Sequence, residues 1–542
     1  MRAGPLALDA PRSARPARPG GGRAARAAVL GAVGLLGAAL ALAHLGAHNA
    51  LYGVLEYDDG VNFGASLRLT SGLLPYRDFV FLQPPGIALL LSPFAGLAHL
   101  VGTREALAWA RVATALVGGL NAFLAAFLVR HRGLVAAATA GTVLAVLPTA
   151  YFALRTVMLE PYCALFCLLG ANLAFSSGAP ASPRRLAAGG LAFGVAVAVK
   201  LFALAPIALA CLVLATRGPR RLLPFAAGTL AGAGALVLPF ALLAPHAFAH
   251  DVVTSQLLRH ATRRRSPVRD RLWGLTGLRG LSSAFSPNST SLLPDVVGAA
   301  ELAALGAGSL APALARRADA AECFALASGL AVVGAIFVPP EYYAHYVYFA
   351  WAFLAPAAGC AAARAVRLAG ALARSRRARR AGAAAGAVAA AALLAGVGLV
   401  AAATAGFVAA ATARTGDPGP LLMDAIPPGA CVLTDAAILT ITADRFLAAR
   451  PGCPAVVDST GDWLALDPRH PPQSGGVPAA ALVGQWRSWL ERADYVLLES
   501  PASFRVPWTP ALRAELRARF EPVPAPLALY ARRSPLRPAR GG

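Results

Sequence analysis

The sequence predicts an α-helical polytopic membrane protein with a small α/β domain at its C-terminus. Of its 542 residues, 57% are hydrophobic and only 14% are charged, a composition far from that of soluble globular proteins. Apolar stretches of about 20 residues, enough to cross roughly 30 Å of hydrocarbon, recur along the chain. They end near residue 411, after which the sequence is richer in Pro, Asp and Trp. We therefore expect a membrane domain over 27–411 and a C-terminal domain over 412–542.

The net charge of +23 comes from arginines that flank the apolar stretches. Short segments rich in arginine stay on the cytoplasmic side of a membrane. The 1–26 tail is therefore expected in the cytoplasm and the C-terminal domain outside, in a multi-pass protein of the cytoplasmic membrane. Because topology already accounts for these charges, nucleic acid is not an expected partner. The clusters lie at 12–26, 130–132, 184–185, 217–221, 316–317 and 364–380.

Keeping every arginine cluster in the cytoplasm gives about eleven spans. Residues 84–101 are also apolar, but a twelfth crossing there would invert every later loop, so we predict a helix along the outer surface. The eleven predicted spans are 27–48, 106–128, 133–153, 158–176, 186–199, 201–216, 221–243, 294–313, 320–338, 344–363 and 383–411.

Lys200, the only lysine in the chain, lies at the predicted outer turn between two undersized spans. A single helix over 186–216 would be too long, and arginine clusters at both of its ends require two crossings. Such short helices open a thinned, hydrated cavity on the outer face, where Lys200 could act. The alternative is a lysine that merely extends to the membrane interface.

The C-terminal domain contains short runs typical of an α/β fold. Five of the seven cysteines fall within predicted spans, whereas Cys431 and Cys453 lie in the external domain, where oxidation is permitted. We therefore expect these two to form a disulfide. No zinc-binding pattern or cofactor motif occurs. Strands are predicted over 430–434, 455–457, 495–499 and 527–531, and helices over 438–449, 483–493 and 510–520.

The first external loop, 49–105, concentrates acids in a chain that otherwise avoids them. Asp58 and Asp59 follow the end of the first span, where a carboxylate is costly unless it is hydrated or functional. We predict that one of them is a catalytic base, and we favour Asp58. The alternative for Asp59 is that it caps the following helix.

Further charged and aromatic residues share the predicted outer face. Transfer of a group from a lipid phosphate to a hydroxyl requires a base for the hydroxyl and cations for the departing phosphate. The candidate phosphate-binding residues are Lys200, Arg155, Arg263 and Arg264. The loop that holds the last two is equally suited to anionic lipid headgroups. The candidate substrate-binding residues are Glu160, Glu341, Tyr343 and His345, and anchoring at headgroup level is the alternative for the aromatic ones.

Several local patterns follow one another along the membrane domain. They are the acidic pair after the first span, Gln83-Pro84-Pro85-Gly86, Glu105 with Arg111, Met158-Leu159-Glu160-Pro161, and Lys200 between two short helices. In this order and placement they resemble the GT-C membrane glycosyltransferases. The similarity covers roughly 27–365 and is greatest to the polyprenyl-phosphate-sugar-dependent branch related to protein O-mannosyltransferases and aminoarabinose transferases.

This resemblance implies an inverting, mannosyltransferase-like transfer of a hexose or pentose from a polyprenyl-phosphate donor on the outer face. The first-loop aspartate would deprotonate an acceptor hydroxyl on an envelope glycan, lipid or protein, and nearby cations would stabilise the polyprenyl phosphate that leaves. Membrane lipids are the remaining expected partners, and no cofactor is expected. Two alternatives stay open: a transporter or lipid flippase of envelope precursors, and a non-catalytic scaffold whose external domain binds envelope polymers.

Overall fold

The computed structural model of the protein is mostly helical, with a small sheet near the C-terminus. It describes residues 21–148, 150–258, 266–277, 306, 318–339, 342–374, 416–467 and 476–534. The predicted spans 294–313 (apart from Gly306) and 383–411 lie outside these residues, as do Arg263, Arg264 and Glu341.

The helices of the N-terminal part follow the apolar stretches of the sequence. Their bounds are α1 (Gly21–Gly46), α2 (Tyr57–Thr70), α3 (Gly86–Val101), α4 (Thr103–Leu128), α5 (Leu134–Val146), α6 (Ala150–Leu154), α7 (Leu159–Ala174), α8 (Pro183–Val199), α9 (Leu204–Arg217), α10 (Leu222–Leu243), α11 (Pro245–Ala249), α12 (Ser255–Leu258), α13 (Val268–Thr276), α14 (Ala320–Phe337) and α15 (Tyr346–Arg374).

Five helices in the described ranges are long and apolar enough to cross a membrane. They are Arg23–Gly46, Thr103–Leu128, Pro219–Leu243, Ala320–Phe337 and Tyr346–Gly370, and each overlaps a predicted span. The chain is therefore a membrane protein. The total of eleven spans stays a prediction.

The predicted span 133–153 is not one continuous helix. α5 ends at Val146, and Leu147 takes an extended ψ of 121° before Pro148. A residue before proline is sterically driven out of the helical region, so the chain restarts as the short helix α6. Because of this break, Tyr151 and Arg155 lie at the same end of the helix bundle as α2.

The junction at Lys200 is a true break between two helices. α8 ends at Val199, Lys200 is extended (φ −153°, ψ 132°), and a short 3-10 turn leads into α9. The N-terminus of α3 packs directly against this junction. A Cβ added to Gly86 would lie 2.5 Å from the carbonyl oxygen of Ala198, so the Gln-Pro-Pro-Gly segment needs glycine to bring α3 beside Lys200.

The C-terminal domain contains a four-stranded sheet in the order β1-β2-β4-β3. β1 and β2 are parallel, and the other two neighbouring pairs are antiparallel. A disulfide joins Cys431 to Cys453, with 5.6 Å between the Cα atoms. The strands are β1 (Val432–Thr434), β2 (Tyr495–Leu498), β3 (Phe520–Val523) and β4 (Ala528–Arg532), and the helices are α16 (Gly419–Ala425), α17 (Ala437–Thr442), α18 (Ser459–Leu466), α19 (Ala480–Arg492) and α20 (Pro510–Arg519).

Several details of this domain differ from the sequence prediction. Residues 455–457 are not a strand, β3 and α18 were not predicted, and the helix predicted over 438–449 ends at Thr442. Asp444 adopts a positive φ of 52° just beyond that helix, which ends it early. β3 contains Pro522, which has no N–H for a ladder, and it is tolerated because β3 is an edge strand.

The C-terminal domain packs tightly against the first loop instead of standing apart from it. α17 lies against α2 and α4, and Ile438 belongs to the same buried core as Val61 and Phe63. At the start of α4, the Thr103 backbone N–H donates to Asp444 at 2.6 Å. The predicted membrane and external domains therefore share one continuous hydrophobic core.

We predict that Gly60→Ala separates the C-terminal domain from α2. A Cβ at this position would lie 2.3 Å from the backbone nitrogen of Ile438, and backbone cannot rotate away as a side chain can. The matched control is Gly96→Ala in α3, where the Cβ would meet nothing within 4 Å. Alanine normally stabilises a helix by roughly 0.5–1 kcal/mol relative to glycine. Thermal unfolding should therefore show a lower melting temperature for Gly60→Ala and an equal or higher one for Gly96→Ala; equal behaviour of both would contradict this packing.

Candidate active site

Four consecutive side chains, Glu56 to Asp59, surround the N-terminus of α2. Glu56 is the extended residue before the helix (φ −142°, ψ 148°), and the other three form its first turn. Successive helical residues point about 100° apart, so these side chains leave the helix in different directions. Acids are favoured in a first turn because the free N–H groups and the helix dipole attract negative charge.

Asp59 is fully buried in an ion pair with Arg111 of α4. Its Oδ2 accepts hydrogen bonds from the Arg111 Nη2 and, at 3.0 Å, from Nε. Its Oδ1 accepts the backbone N–H of Val157 at 2.7 Å. Arg111 also donates to the carbonyl oxygens of Leu51 and Gly53, at 2.7 and 3.0 Å. Both oxygens of Asp59 are thus engaged, and its carboxylate ties α2 to α4 and to the loop before α7.

Glu56 is anchored on the side of α6. Its Oε1 lies 3.3 Å from the Arg155 Nη2, and Arg155 also donates to the Tyr151 hydroxyl at 3.0 Å. Partial burial raises the pKa of Glu56; the Arg155 guanidinium opposes this shift, and the Asp58 carboxylate adds to it. Arg155 is only 4% exposed, so its charge is held in place beside the N-terminus of α2.

Tyr57 is anchored on the C-terminal domain. Its hydroxyl donates to Asp458 Oδ1 at 2.8 Å and accepts the backbone N–H of Thr460 at 3.1 Å. The guanidinium of Arg505 lies 4.2 Å from the centre of the Tyr57 ring, a stacked cation–π contact.

Asp58 differs from its three neighbours. It is half-buried and makes no hydrogen bond or ion pair with any residue that the structure describes. Its charge nevertheless acts electrostatically on Glu56 and on His345. The turn therefore presents one carboxylate without a partner among the described residues, next to three side chains that are fixed.

A second charged cluster joins Glu160, Lys200 and His345. The Lys200 ammonium donates to Glu160 Oε1, and His345 Nε2 lies 3.8 Å from the same oxygen. Lys200 also lies 4.3 Å from the ring centre of Tyr346. Glu160 is fully buried, and its Oε2 has no hydrogen-bond partner among the described residues. Asp58 acts electrostatically on His345, so the two clusters lie within range of each other's charge.

Lys200 lines a cleft of about 140 Å³. Gln83 and Pro84 of the segment before α3 form one wall, and Tyr343 and Tyr346 form part of another. Gln256 completes the rim and donates to the Leu82 carbonyl oxygen at 2.9 Å. The cleft is mostly apolar with one cation in its wall, which suits an amphipathic molecule that carries a negative charge.

The structure brings together four of the seven candidate site residues that it describes. Lys200, Glu160, Tyr343 and His345 lie at or beside the cleft, with Asp58 within electrostatic reach. Arg155 lies with Glu56 instead. Within the described ranges, no group of three or more His, Cys, Asp or Glu side chains is arranged to hold a metal ion.

Sequence reasoning missed the roles of Arg111, Tyr57 and Asp458. Arg111 carried a signal, because an arginine inside an apolar span implies a buried partner. Tyr57 and Asp458 carried none, since they are 401 residues apart in the chain and meet only after folding.

Solved structures share this architecture. ArnT from Cupriavidus metallidurans, crystallised with undecaprenyl phosphate, is 17% identical, with a TM-score of 0.56 over 92% of this chain and 97% of that one. The Archaeoglobus fulgidus oligosaccharyltransferase, tethered to an acceptor peptide with an NVT sequon, is 14% identical, with a TM-score of 0.54 over 94% of this chain and 74% of that one. No family model and no curated protein matches the sequence.

At these identities the likeness concerns the fold, which extends over nearly the whole chain and includes the C-terminal domain. Both neighbours are GT-C proteins. The fold expected from the local sequence patterns is therefore confirmed: the chain has the fold of these two neighbours.

Proposed function

We propose that this protein is an inverting membrane glycosyltransferase that moves a sugar from a polyprenyl-phosphate donor to a hydroxyl of an envelope glycan, lipid or protein. One observation carries the proposal. Asp58 has a carboxylate without a partner among the described residues, on a turn whose other three side chains are anchored. It acts electrostatically on His345, which belongs to the charged cluster that contains Lys200.

Asp58 acts in this proposal as the general base. Its carboxylate takes the proton of the acceptor hydroxyl while the hydroxyl oxygen attacks the anomeric carbon of the sugar. The bond between that carbon and the phosphate oxygen breaks, and its electron pair leaves with the polyprenyl phosphate. Because the hydroxyl oxygen attacks from the side opposite the departing phosphate, the configuration at the anomeric carbon is inverted. A base without a salt bridge suits this role, because no cation competes for its electron pair.

Lys200 supplies positive charge for a phosphate in the cleft. Arg155, which pairs with Glu56, stays a further candidate for this role. An ammonium has three N–H donors, and the contact with Glu160 uses one of them. The two others lack hydrogen-bond partners among the described residues and are available to a phosphate in the cleft. Glu160 Oε2, Tyr343 and His345 would contact the sugar or the acceptor. The undecaprenyl phosphate bound to a structural neighbour supports a carrier of this chemical class.

We propose the outer face of the cytoplasmic membrane as the location of this chemistry. The arginine clusters Arg130–Arg132 and Arg184–Arg185 lie at the other end of the bundle, which supports a cytoplasmic assignment of that end. The same orientation gives a cytoplasmic tail over 1–26, a membrane domain over 27–411 and an external domain over 412–542. Arg263, Arg264 and Glu341 remain candidates for donor and substrate contacts in this scheme.

Mass spectrometry of envelope glycans tests the proposed function. A strain that lacks the gene should lose one glycan relative to its parent and accumulate the unused lipid-linked sugar. The solubilised envelope of that strain, here called the deletion extract, then contains both donor and acceptor for assays with the purified protein. An unchanged glycan profile together with an altered distribution of envelope lipids would support a flippase instead.

We predict that removing the Lys200–Glu160 charge pair weakens binding of the donor phosphate. Lys200→Met alone would leave Glu160 buried without a counter-ion, so the test uses Lys200→Met with Glu160→Gln. Undecaprenyl phosphate in detergent micelles should bind at least about tenfold more weakly, as expected for a lost charge-assisted hydrogen bond. The matched control is the pair Arg104→Gln with Asp417→Asn, an ion pair away from the cleft. Equal affinities of both double variants would contradict the role of Lys200.

A further inference from the structure

Tyr57 connects the catalytic turn to the C-terminal domain. Its hydroxyl contacts Asp458 and Thr460, which lie at the N-terminus of α18, and also lies 3.2 Å from the Ser459 hydroxyl. Tyr57 and Asp458 are 401 residues apart in the chain. The contact therefore joins two regions that the sequence treats as separate domains.

The groups that hold Tyr57 are themselves held rigidly. Asp458 Oδ1 also accepts the Gly461 backbone N–H at 2.8 Å, so it caps α18 while it receives the Tyr57 hydroxyl. The Ser459 hydroxyl donates to the carbonyl oxygen of Asp435. The Arg505 guanidinium lies over the Tyr57 ring. The Arg505 side chain is only 11% exposed and pairs with Glu499.

The residue after Tyr57 is the proposed base. A catalytic group must be held within about 0.5 Å of its productive position, and an error of about 1 Å costs on the order of 10²-fold in rate. Asp58 itself makes no hydrogen bond or ion pair with a described residue that would fix it. Its position therefore depends on the backbone of its turn, which Arg155, Arg111 and the C-terminal domain hold from three sides.

We propose that Tyr57, Asp458 and Arg505 are positioning residues through which the C-terminal domain sets the geometry of Asp58. The inference rests on the proposed function and adds to it. The C-terminal domain is then part of the catalytic machinery as well as a candidate acceptor-binding surface. Its contribution is to the rate of transfer, because none of these three residues lines the cleft beside Lys200.

Tyr57→Phe tests this inference, because it removes the hydroxyl and keeps the ring under Arg505. The turnover number on the deletion extract should fall roughly 10- to 100-fold. The amount of extract that gives half-maximal rate and the affinity for undecaprenyl phosphate micelles should not change. A variant that only loosened the fold would lower the melting temperature and change these binding values as well.

Tyr52→Phe is the matched control. Tyr52 lies in the same loop, donates to the carboxylate of Glu105 at 3.1 Å and carries Arg104 4.6 Å from its ring centre, but it does not adjoin Asp58. It should keep the turnover of the native protein.

Substitutions of Asp458 give a second test of the same contact. Asp458→Asn keeps an oxygen acceptor and should retain most turnover. Asp458→Ala removes the acceptor and should match Tyr57→Phe. The Tyr57→Phe, Asp458→Ala double variant should be no slower than either single variant.

The outcomes separate this inference from the proposed function. If Tyr57→Phe turns over like the native protein while Asp58→Asn is inactive, the positioning role is wrong and the glycosyltransferase proposal stands. Equal losses in Tyr57→Phe and Tyr52→Phe would also overturn the positioning role. If Asp58→Asn itself remains active, the proposed function fails.

Discussion

Asp58→Asn should abolish sugar transfer while leaving the protein folded and able to bind its donor. Asparagine has the shape of aspartate but cannot accept a proton at neutral pH, so the acceptor hydroxyl stays protonated. Loss of a general base typically costs about 10²- to 10⁴-fold in rate. Because Asp58 makes no hydrogen bond or ion pair with described residues, its replacement removes none of the polar contacts that hold the described part of the fold.

Three measurements on purified protein check this prediction. Product formation on the deletion extract should drop to the background of the assay, while affinity for undecaprenyl phosphate micelles and the melting temperature should equal those of the native protein. Loss of binding together with loss of turnover would instead indicate that Asp58 contacts the donor. Full turnover would exclude Asp58 as the base.

The neighbouring change, Asp59→Asn, should act on stability. It leaves the Arg111 guanidinium buried without its counter-ion, and breaking a buried pair in this way costs about 3–5 kcal/mol of unfolding free energy. Asparagine also puts an N–H₂ group where Asp59 now accepts either Arg111 or the Val157 N–H. The helix that carries Asp58 would lose its attachment to α4.

Thermal unfolding of the two variants side by side gives the measurement. Asp58→Asn is the matched control, since it makes the same chemical change one residue earlier. We expect a large fall in melting temperature and in the yield of monodisperse protein for Asp59→Asn only. If both variants melt like the native protein, the ion pair with Arg111 does not hold this turn.

The sequence indicated which polar residues would lie near one another better than it indicated their individual contacts. Apolar length located the helices, and the sparse polar residues among them drew attention to Asp58, Asp59, Glu160 and Lys200. The sequence analysis favoured Asp58 as the base, but it did not predict the contact that distinguishes the two aspartates. Arg111, 52 residues away from Asp59, engages only Asp59. No local rule predicts which of two adjacent side chains meets a partner on another helix.

The C-terminal domain shows the same limit of sequence-based prediction, for contacts between residues that are further apart in the chain. Periodicity located strands β1, β2 and β4, whereas the edge strand β3, which contains Pro522, was not predicted. The packing of α17 against Gly60 was also invisible, since a glycine inside a helix is compatible with many environments. Its close approach to Ile438 exists only in the folded chain, and this approach brings the C-terminal domain against the helix that carries Asp58.

Chemical restoration of a carboxylate at position 58 tests the central claim most directly. Asp58→Cys would be prepared with Cys211→Ser and Cys323→Ser, because the other free cysteines, Cys163, Cys167 and Cys360, are buried. Iodoacetate then adds a carboxylate to the introduced thiol, and iodoacetamide adds a neutral amide of similar size. The account predicts no transfer on the deletion extract before modification, partial recovery with iodoacetate and none with iodoacetamide. Transfer by the unmodified variant, or equal recovery with both reagents, would contradict a catalytic carboxylate at this position.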